Sequence, residues 1–373
     1  MRINFHGRLE NQPEIKAGFI GCGSHSFRNI YPTFQFAPIK LLATCDLDLA
    51  KAQAFAEKFG AKKSFSDYHE MLKDQEIEAV FIVTGYDDLG RPLYPKIAID
   101  CLAAGKHVWM EKPPAQSTKE IEEIQAAAAK VGKNVMVGLK KMFFPANEKA
   151  KELASSADFG KISLGLYQYP QHIPTQAEFD ACRSQNRINS SVLGFLDHLC
   201  HPAALLVYMQ GMPSSLYFER SSSGAGTALF GFENGASANL AFTAGSARNA
   251  GMERTTLISD KGKHVLIDNN IRLSYHQDAF NGYGDVTNAF GGNSGDTTAF
   301  WEPEFSLGQL YNKGLFLLGY YGEVNEFAKS ILERRPPAKG TLEQAWQVTR
   351  IFEAFFEGPR KLIFLPQTPP SGR

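Results

Sequence analysis

Three residues of this 373-residue chain have the types and spacing for a coupled proton and hydride step. Lys112 directly follows the apolar run HVWME and precedes Pro113 and Pro114, so it should leave the carboxyl end of a strand in an extended course, off any helix. Asp197 and His201 lie four apart in the apolar helical pattern VLGFLDHLCHPAALLVYMQG, which puts both side chains on one face, a turn apart. An imidazole starting near a pKa of about 6.5 suits acceptance of a hydroxyl proton, and that role goes to His201. An ammonium can donate to the reacting oxygen and stabilise alkoxide character, the role given to Lys112. Asp197 would orient substrate hydroxyls and hold the ammonium in place. This is the set needed when a secondary alcohol loses hydride to an acceptor, and in reverse it reduces a ketone. A metal is the competing reading, because Asp197, His198, Cys200 and His201 fall within five residues. Their angular spread round a helix keeps all four from one ion, and no second cluster completes a zinc site, so no metal is expected.

Hydride needs an acceptor, and Gly21-Cys22-Gly23-Ser24-His25-Ser26 supplies a place for one. It reads G-x-G-x-x-S between a strand, IKAGFIG, and a helical pattern. Gly21 permits the tight turn, and Gly23 leaves bare backbone against which a pyrophosphate can sit at a helix N-terminus. Asp46 ends the next strand, 25 residues after Gly21, where a carboxylate accepts both ribose hydroxyl bonds and repels a 2′-phosphate. NAD is therefore favoured over NADP. Two plain readings stand beside these: Asp46 as the cap of the helix beginning near Asp48, and His25 as a solvated loop residue that can also touch a phosphate.

The elements that must position these groups follow an alternating pattern. KLLATCD leads into the amphipathic DLAKAQAFAEKFG with Gly60 at its end, Asp67 and Glu70 open a short helix, and EAVFIVTG reads as a strand covered on both faces. PKIAIDCLAAGK, HVWME, the helix opened by Ser117 and Glu120, and NVMVGL complete a doubly wound parallel α/β unit by about residue 140. Beyond it come tight-turn strands, including TALFGFE-NG-ASANLAF and RTTLISD-KG-KHVLID, with GEVNEFAKSILERR and TLEQAWQVTRIFEAFF as closing helices. The expected division is residues 1–140 for the nucleotide and 141–373 for an α+β, mostly antiparallel substrate and oligomerisation domain. The Gly/Asn-rich segment 276–305 shows no sustained periodicity.

Composition narrows the partners. Thirty-nine basic residues balance thirty-nine acidic ones, so no basic field favours nucleic acid or an anionic membrane. The N-terminus lacks a secretory pattern, no run approaches 18 apolar residues, and five cysteines without a C-x-x-C pair read as free thiols, all pointing to a cytoplasmic protein.

Three segments together resemble the Gfo/Idh/MocA family of nicotinamide-dependent sugar and cyclitol oxidoreductases: GFIGCGSHS, AAGKHVWMEKPPAQS and GFLDHLCHPAALLVYMQG. The resemblance implies a Rossmann domain, a large open-faced sheet domain with the active site between them, and pairing of subunits into a dimer or tetramer through the open sheet. Its catalytic lysine, aspartate and histidine map to Lys112, Asp197 and His201. Thr84 and Glu111, with Lys112, complete the expected cofactor contacts. Tyr169, Gln171, His172, Arg183 and Asn189, together with Lys140 after the last Rossmann strand, are the substrate candidates. Two places depart from the family: TGYDDLGRPLYPKIA carries Tyr86 and Tyr94 where many members have a Pro-Asn pair and a later histidine, and Pro202 follows His201 and is expected to end or kink the helix. The expected function is hydride transfer between NAD and a hydroxyl or ketone of a sugar, glycoside or cyclitol. An NAD-recycling glycoside-cleaving enzyme and a non-catalytic nucleotide sensor are the alternatives.

Overall fold

The computed structural model describes residues 13–245, 253–277, 298–302 and 313–368. Strands β1 (Ile15–Ile20), β2 (Ile39–Cys45), β3 (Lys63–Phe65), β4 (Ala79–Ile82), β5 (His107–Met110) and β6 (Val135–Val137) form a six-stranded sheet in the order β3-β2-β1-β4-β5-β6. Every pairing is parallel, as the buried apolar runs require. The order reverses between β1 and β4, so the crevice at their carboxyl ends is the place where such sheets bind ligands. Helices α1 (Leu49–Phe59), α2 (Tyr68–Leu72), α3 (Tyr94–Ala103) and α4 (Thr118–Val131) connect the strands. Asp48, Asp67 and Ser117 cap α1, α2 and α4, and Gly60 closes α1 at φ 79°. The helix expected after β1 is instead a wide turn over Ser26–Ile30 followed by a tight one over Tyr31–Gln35. Pro32 lies at the junction and removes a backbone donor there.

The second unit begins with α5 (Pro145–Ala154), β7 (Ile162–Tyr169), α6 (Gln176–Gln185) and α7 (Ser190–Gln210). Strands β8 (Ser215–Arg220), β9 (Gly226–Gly231), β10 (Ser237–Phe242), β11 (Arg254–Ser259), β12 (His264–Asp268), β13 (Arg272–His276) and β14 (Thr298–Trp301) follow, then α8 (Lys313–Leu317), α9 (Tyr320–Leu332), α10 (Leu342–Phe355) and β15 (Ile363–Phe364). Nine strands form one sheet in the order β14-β13-β12-β11-β7-β10-β9-β8-β15, antiparallel except where β7 meets β10. Most of the 276–305 segment lies outside the described residues, and within it Thr298–Trp301 pairs with β13.

Register divides the sheet into two unlike faces. Phe218, Phe230, Leu240, Phe242, Tyr167, Leu257 and Val265 are buried on one, beneath α5, α7 and α10, where Phe195 and Phe355 meet Phe242 and Phe218. On the other, Leu229, Asn239, Leu166, Thr256, Leu266, Ser274 and Phe300 stand in one cross-strand row, with Leu166, Leu229 and Phe300 exposed. Helix α7 runs through Pro202 rather than ending there. Proline lacks the N–H that would bond to the His198 carbonyl, and the buried packing of α7 offsets that loss. By composition α7 is long and apolar enough to cross a membrane, and 67% of that stretch is buried inside the protein. All five cysteines are free and buried.

The closing helices return to the first unit. Phe327 of α9 packs edge-on against Phe81 of β4 at 5.4 Å, Trp346 Nε1 of α10 donates to Glu122 Oε1 at 2.9 Å, and the Thr118 amide donates to Glu353 Oε1 at 2.7 Å. One apolar core therefore spans both sheets. Phe327→Ala should cost about 3–5 kcal/mol of unfolding free energy, measured by denaturant titration, because the emptied site lies against a buried strand.

Candidate active site

The nucleotide loop is shaped by two glycines that do different things. Gly21 has φ 104°, and a Cβ there would stand 1.8 Å from the Val83 carbonyl oxygen, so no other residue fits without moving β4. Gly23 has nothing within 4 Å of that position, which leaves its backbone open to a ligand. Asp46 Oδ2 accepts from the Cys22 amide at 2.8 Å and Oδ1 from the Asp48 amide at 3.0 Å. Asp48, not Asp46, caps α1, so Asp46 is tied to the loop. A cavity of about 1000 Å³ opens over this turn, lined by Gly21, Gly23, Ser24, His25, Ser26, Asp46, Thr84 and Tyr86, among others. Within it Ser26 Oγ and Thr84 Oγ1 are buried without a protein partner among the described residues. Two orphaned hydroxyls beside bare backbone fit a polar, phosphate-bearing ligand.

His25 is not a free loop side chain. Its Nε2 pairs with Glu111 Oε1 at 2.7 Å, its Nδ1 meets Asn29 Nδ2 at 3.0 Å, and its ring stands edge-on to Tyr320. Glu111 in turn accepts from the Lys112 amide at 3.0 Å. The glycine turn and the end of β5 are thereby linked through a buried carboxylate.

Lys112 lies past the end of β5 with a cis bond to Pro113. Its Nζ donates to Asp197 Oδ1 at 2.8 Å and to the Asp197 carbonyl at 3.3 Å, joining the six-stranded unit to α7. Burial opposes the charge on Lys112, but Asp197 and Glu111 outweigh it and hold the ammonium above the ordinary lysine value. The side chain therefore stays a donor. His201, one turn on, is held well below the usual histidine value by burial and by the positive charges of Lys112, Lys140 and Lys141. Its imidazole is therefore neutral at physiological pH, the form that a proton acceptor must have. Tyr169 closes this side, its ring 6.4 Å from that of His201.

The substrate candidates separate. Lys140 Nζ donates to Tyr320 Oη at 2.8 Å and lies over that ring, while burial lowers its pKa. Neighbouring Lys141 pairs with Glu253. Gln171 Nε2 donates to the Phe195 carbonyl inside the core, and His172 is exposed. Arg183 forms an exposed ion pair with Glu357 at 2.7 Å, and Asn189 caps α7 through the Val192 amide. The last two are thus occupied structurally: an exposed pair and an N-cap satisfy them without a substrate. Among the described residues no three His, Cys, Asp or Glu side chains converge in a way that could hold a metal. One contact escaped the sequence reading. Tyr86 Oη donates to Asp197 Oδ1 at 3.0 Å, and the signal was available in its place after the carboxyl end of β4.

Residues 15–139 match the model of an oxidoreductase family with an NAD-binding Rossmann fold. This first domain belongs to the Gfo/Idh/MocA family. Among curated relatives, trans-1,2-dihydrobenzene-1,2-diol dehydrogenase of Mus musculus is 28% identical over 44% of this chain and 50% of its own. Inositol 2-dehydrogenase of Salmonella paratyphi B is 27% identical over 39% of this chain and 43% of its own. The chain thus spans about half the length of the curated relatives it matches. A dehydrogenase structure from Chromobacterium violaceum superposes with a TM-score of 0.75 at 20% identity, covering 92% of this chain and 94% of the other. That likeness shows that the two chains share one fold across both the parallel sheet and the second, open-faced sheet.

Keeping His201 neutral has a measurable sign. The unfolded chain binds a proton near the ordinary value of about 6.5, whereas the folded site resists it, so His201 reduces stability as pH falls below that value. Nitrogen NMR of the imidazole at a pH of about 5.5 should show His201 still neutral, and a protonated ring would contradict the electrostatics described.

Proposed function

We propose that this protein is a nicotinamide-dependent oxidoreductase that moves hydride between its cofactor and a secondary hydroxyl or ketone of a sugar, glycoside or cyclitol, with NAD favoured over NADP. The observation that carries the reading is the 2.8 Å contact of Lys112 with Asp197, made beside a neutral His201 and next to the cavity over the glycine turn. Gly21, Gly23, Ser24, Ser26, Asp46 and Thr84 line that cavity and would hold the dinucleotide, with His25 and Glu111 bracing its inner wall. When bound, the nicotinamide supplies the hydride acceptor or donor. Asp46 at the end of β2 supports NAD, since its carboxylate disfavours a 2′-phosphate.

The chain's own groups divide the remaining work. His201 Nε2 or Nδ1 accepts the hydroxyl proton as the carbon is oxidised. Lys112 Nζ donates to the oxygen that becomes carbonyl, offsetting alkoxide charge. Asp197 keeps that ammonium aimed and presents its second oxygen to a neighbouring hydroxyl. In the reducing direction the same lysines that keep His201 neutral make its protonated form a ready acid, so delivery of the proton to a ketone oxygen is favoured.

Two relatives are named as dehydrogenases of a cyclic diol and of inositol, which supports a ring with vicinal hydroxyls. Zero net charge suits an uncharged polyol that needs no steering field, and gives no support to nucleic acid or membrane as partners. The uncovered sheet face with Leu166, Leu229 and Phe300 supports a second copy as its cover, in a dimer or tetramer, and the free thiols support a cytoplasmic setting.

The test is turnover of NAD or NADH across a panel of sugars, glycosides and cyclitols. His201→Ala and Lys112→Ala should each lower kcat/KM on the accepted substrate by about 10²–10⁴-fold. Wild-type rates in either variant would refute the assignment. Stoichiometric NADH is expected, and glycoside cleavage without NADH accumulation would point instead to internal recycling.

A further inference from the structure

We infer that Tyr86 is a positioning residue for hydride transfer, holding the Asp197 carboxylate in place from the cofactor side of the cleft. This rests on the oxidoreductase reading above and goes beyond it, because the sequence reading left the Tyr86 loop without a role.

Tyr86 follows the carboxyl end of β4, as Lys112 follows that of β5, and both side chains converge on one atom. Asp197 Oδ1 accepts from Tyr86 Oη at 3.0 Å and from Lys112 Nζ at 2.8 Å. Two donors on one oxygen fix the carboxylate plane, and Oδ2 meets only the His198 ring, at 3.9 Å, among the contacts described. That leaves Oδ2 as the oxygen able to take a substrate hydroxyl. The phenol stays protonated, since burial and the nearby Asp197 charge both raise its pKa. It remains a donor throughout the working range.

The loop that carries Tyr86 is built to hold it. Tyr86 bridges to Pro92, and Asp87 Oδ1 accepts from the amides of Leu89 and Arg91 at 2.9 Å each, while Arg91 closes the turn through Asp87 Oδ2 at 2.8 Å. The Leu89 carbonyl accepts from the Ile188 amide at 2.8 Å, one residue before the cap of α7. Gly90, at φ 76°, lies so close to Ile188 that a Cβ would stand 2.5 Å from its carbonyl oxygen. The loop thus grips α7 at its start and again two turns along, at Asp197. Tyr86 also lines the cavity over the glycine turn, so it joins that cavity to the Lys112–Asp197 pair.

A kinetic cycle on the intact protein tests this. Wild type, Tyr86→Phe, Asp197→Ala and the double variant are compared for kcat and KM on the substrate found by the polyol panel, with NADH affinity measured by fluorescence titration. Tyr86→Phe keeps the ring and should lower kcat about 10- to 100-fold while NADH affinity changes by less than about twofold. A residue that acts through Asp197 has nothing to act on once that carboxylate is gone, so the double variant should be no slower than Asp197→Ala alone. An unchanged kcat in Tyr86→Phe, or losses that multiply in the double variant, would overturn the inference. Failure of the oxidoreductase reading is visible separately, in wild type alone, as NADH binding with no turnover of any polyol, and it would remove this role as well.

Discussion

The contact between Lys112 and Asp197 is the constraint on which the site depends. It joins a residue at the end of a parallel strand to one in the middle of a 21-residue helix, across the line where two sheet systems meet. Bringing an ammonium and a carboxylate out of water costs several kcal/mol per ion unless each finds partners, and here each has more than one. Lys112 reaches both a side-chain oxygen and a carbonyl of Asp197, and Asp197 also receives the Tyr86 hydroxyl. A pair so well bonded is a fixed reference point, against which a neutral imidazole one turn away and a glycine turn two strands away take defined positions.

The same charges set the protonation of their neighbours. Lys112, Lys140 and Lys141 surround His201 with positive potential, which suits an imidazole that must be neutral before it accepts a proton. Lys141 is buried and Lys140 half-buried, both are lowered, and they are anchored by Glu253 and Tyr320. Glu111 and His25 then connect this polar interior to the glycine turn. A chain with zero net charge can therefore have a strongly polarised interior site.

Much of this was legible in the sequence, for reasons that differ by element. The parallel sheet announced itself because buried strands are continuously apolar, and α1 and α4 because Gly60 and Ser117 are local caps whose effect needs no tertiary contact. Lys112, Asp197 and His201 could be picked out because a strand end and a four-residue helical spacing fix direction. What was not legible depended on distant partners. Pro202 reads as a helix breaker, yet surrounding packing carries α7 through it. Arg183 and Asn189 have types that suit a sugar, but Glu357 and the Val192 amide engage them. His25 looked solvated because Glu111, 86 residues away, is its partner. The return of α9 and α10 onto the first sheet, through Phe327 and Trp346, likewise has no signature in spacing.

Under the proposed function, the cavity over the glycine turn and the Lys112–Asp197–His201 group act as one hydride-transfer site. A crystal structure of the chain with NADH and a bound polyol tests it directly. The nicotinamide ring should lie beside Tyr86, with the reacting hydroxyl oxygen in hydrogen-bond contact with both Lys112 Nζ and the His201 ring. A polyol seated away from those two side chains, or a nicotinamide directed out of the cleft, would contradict it.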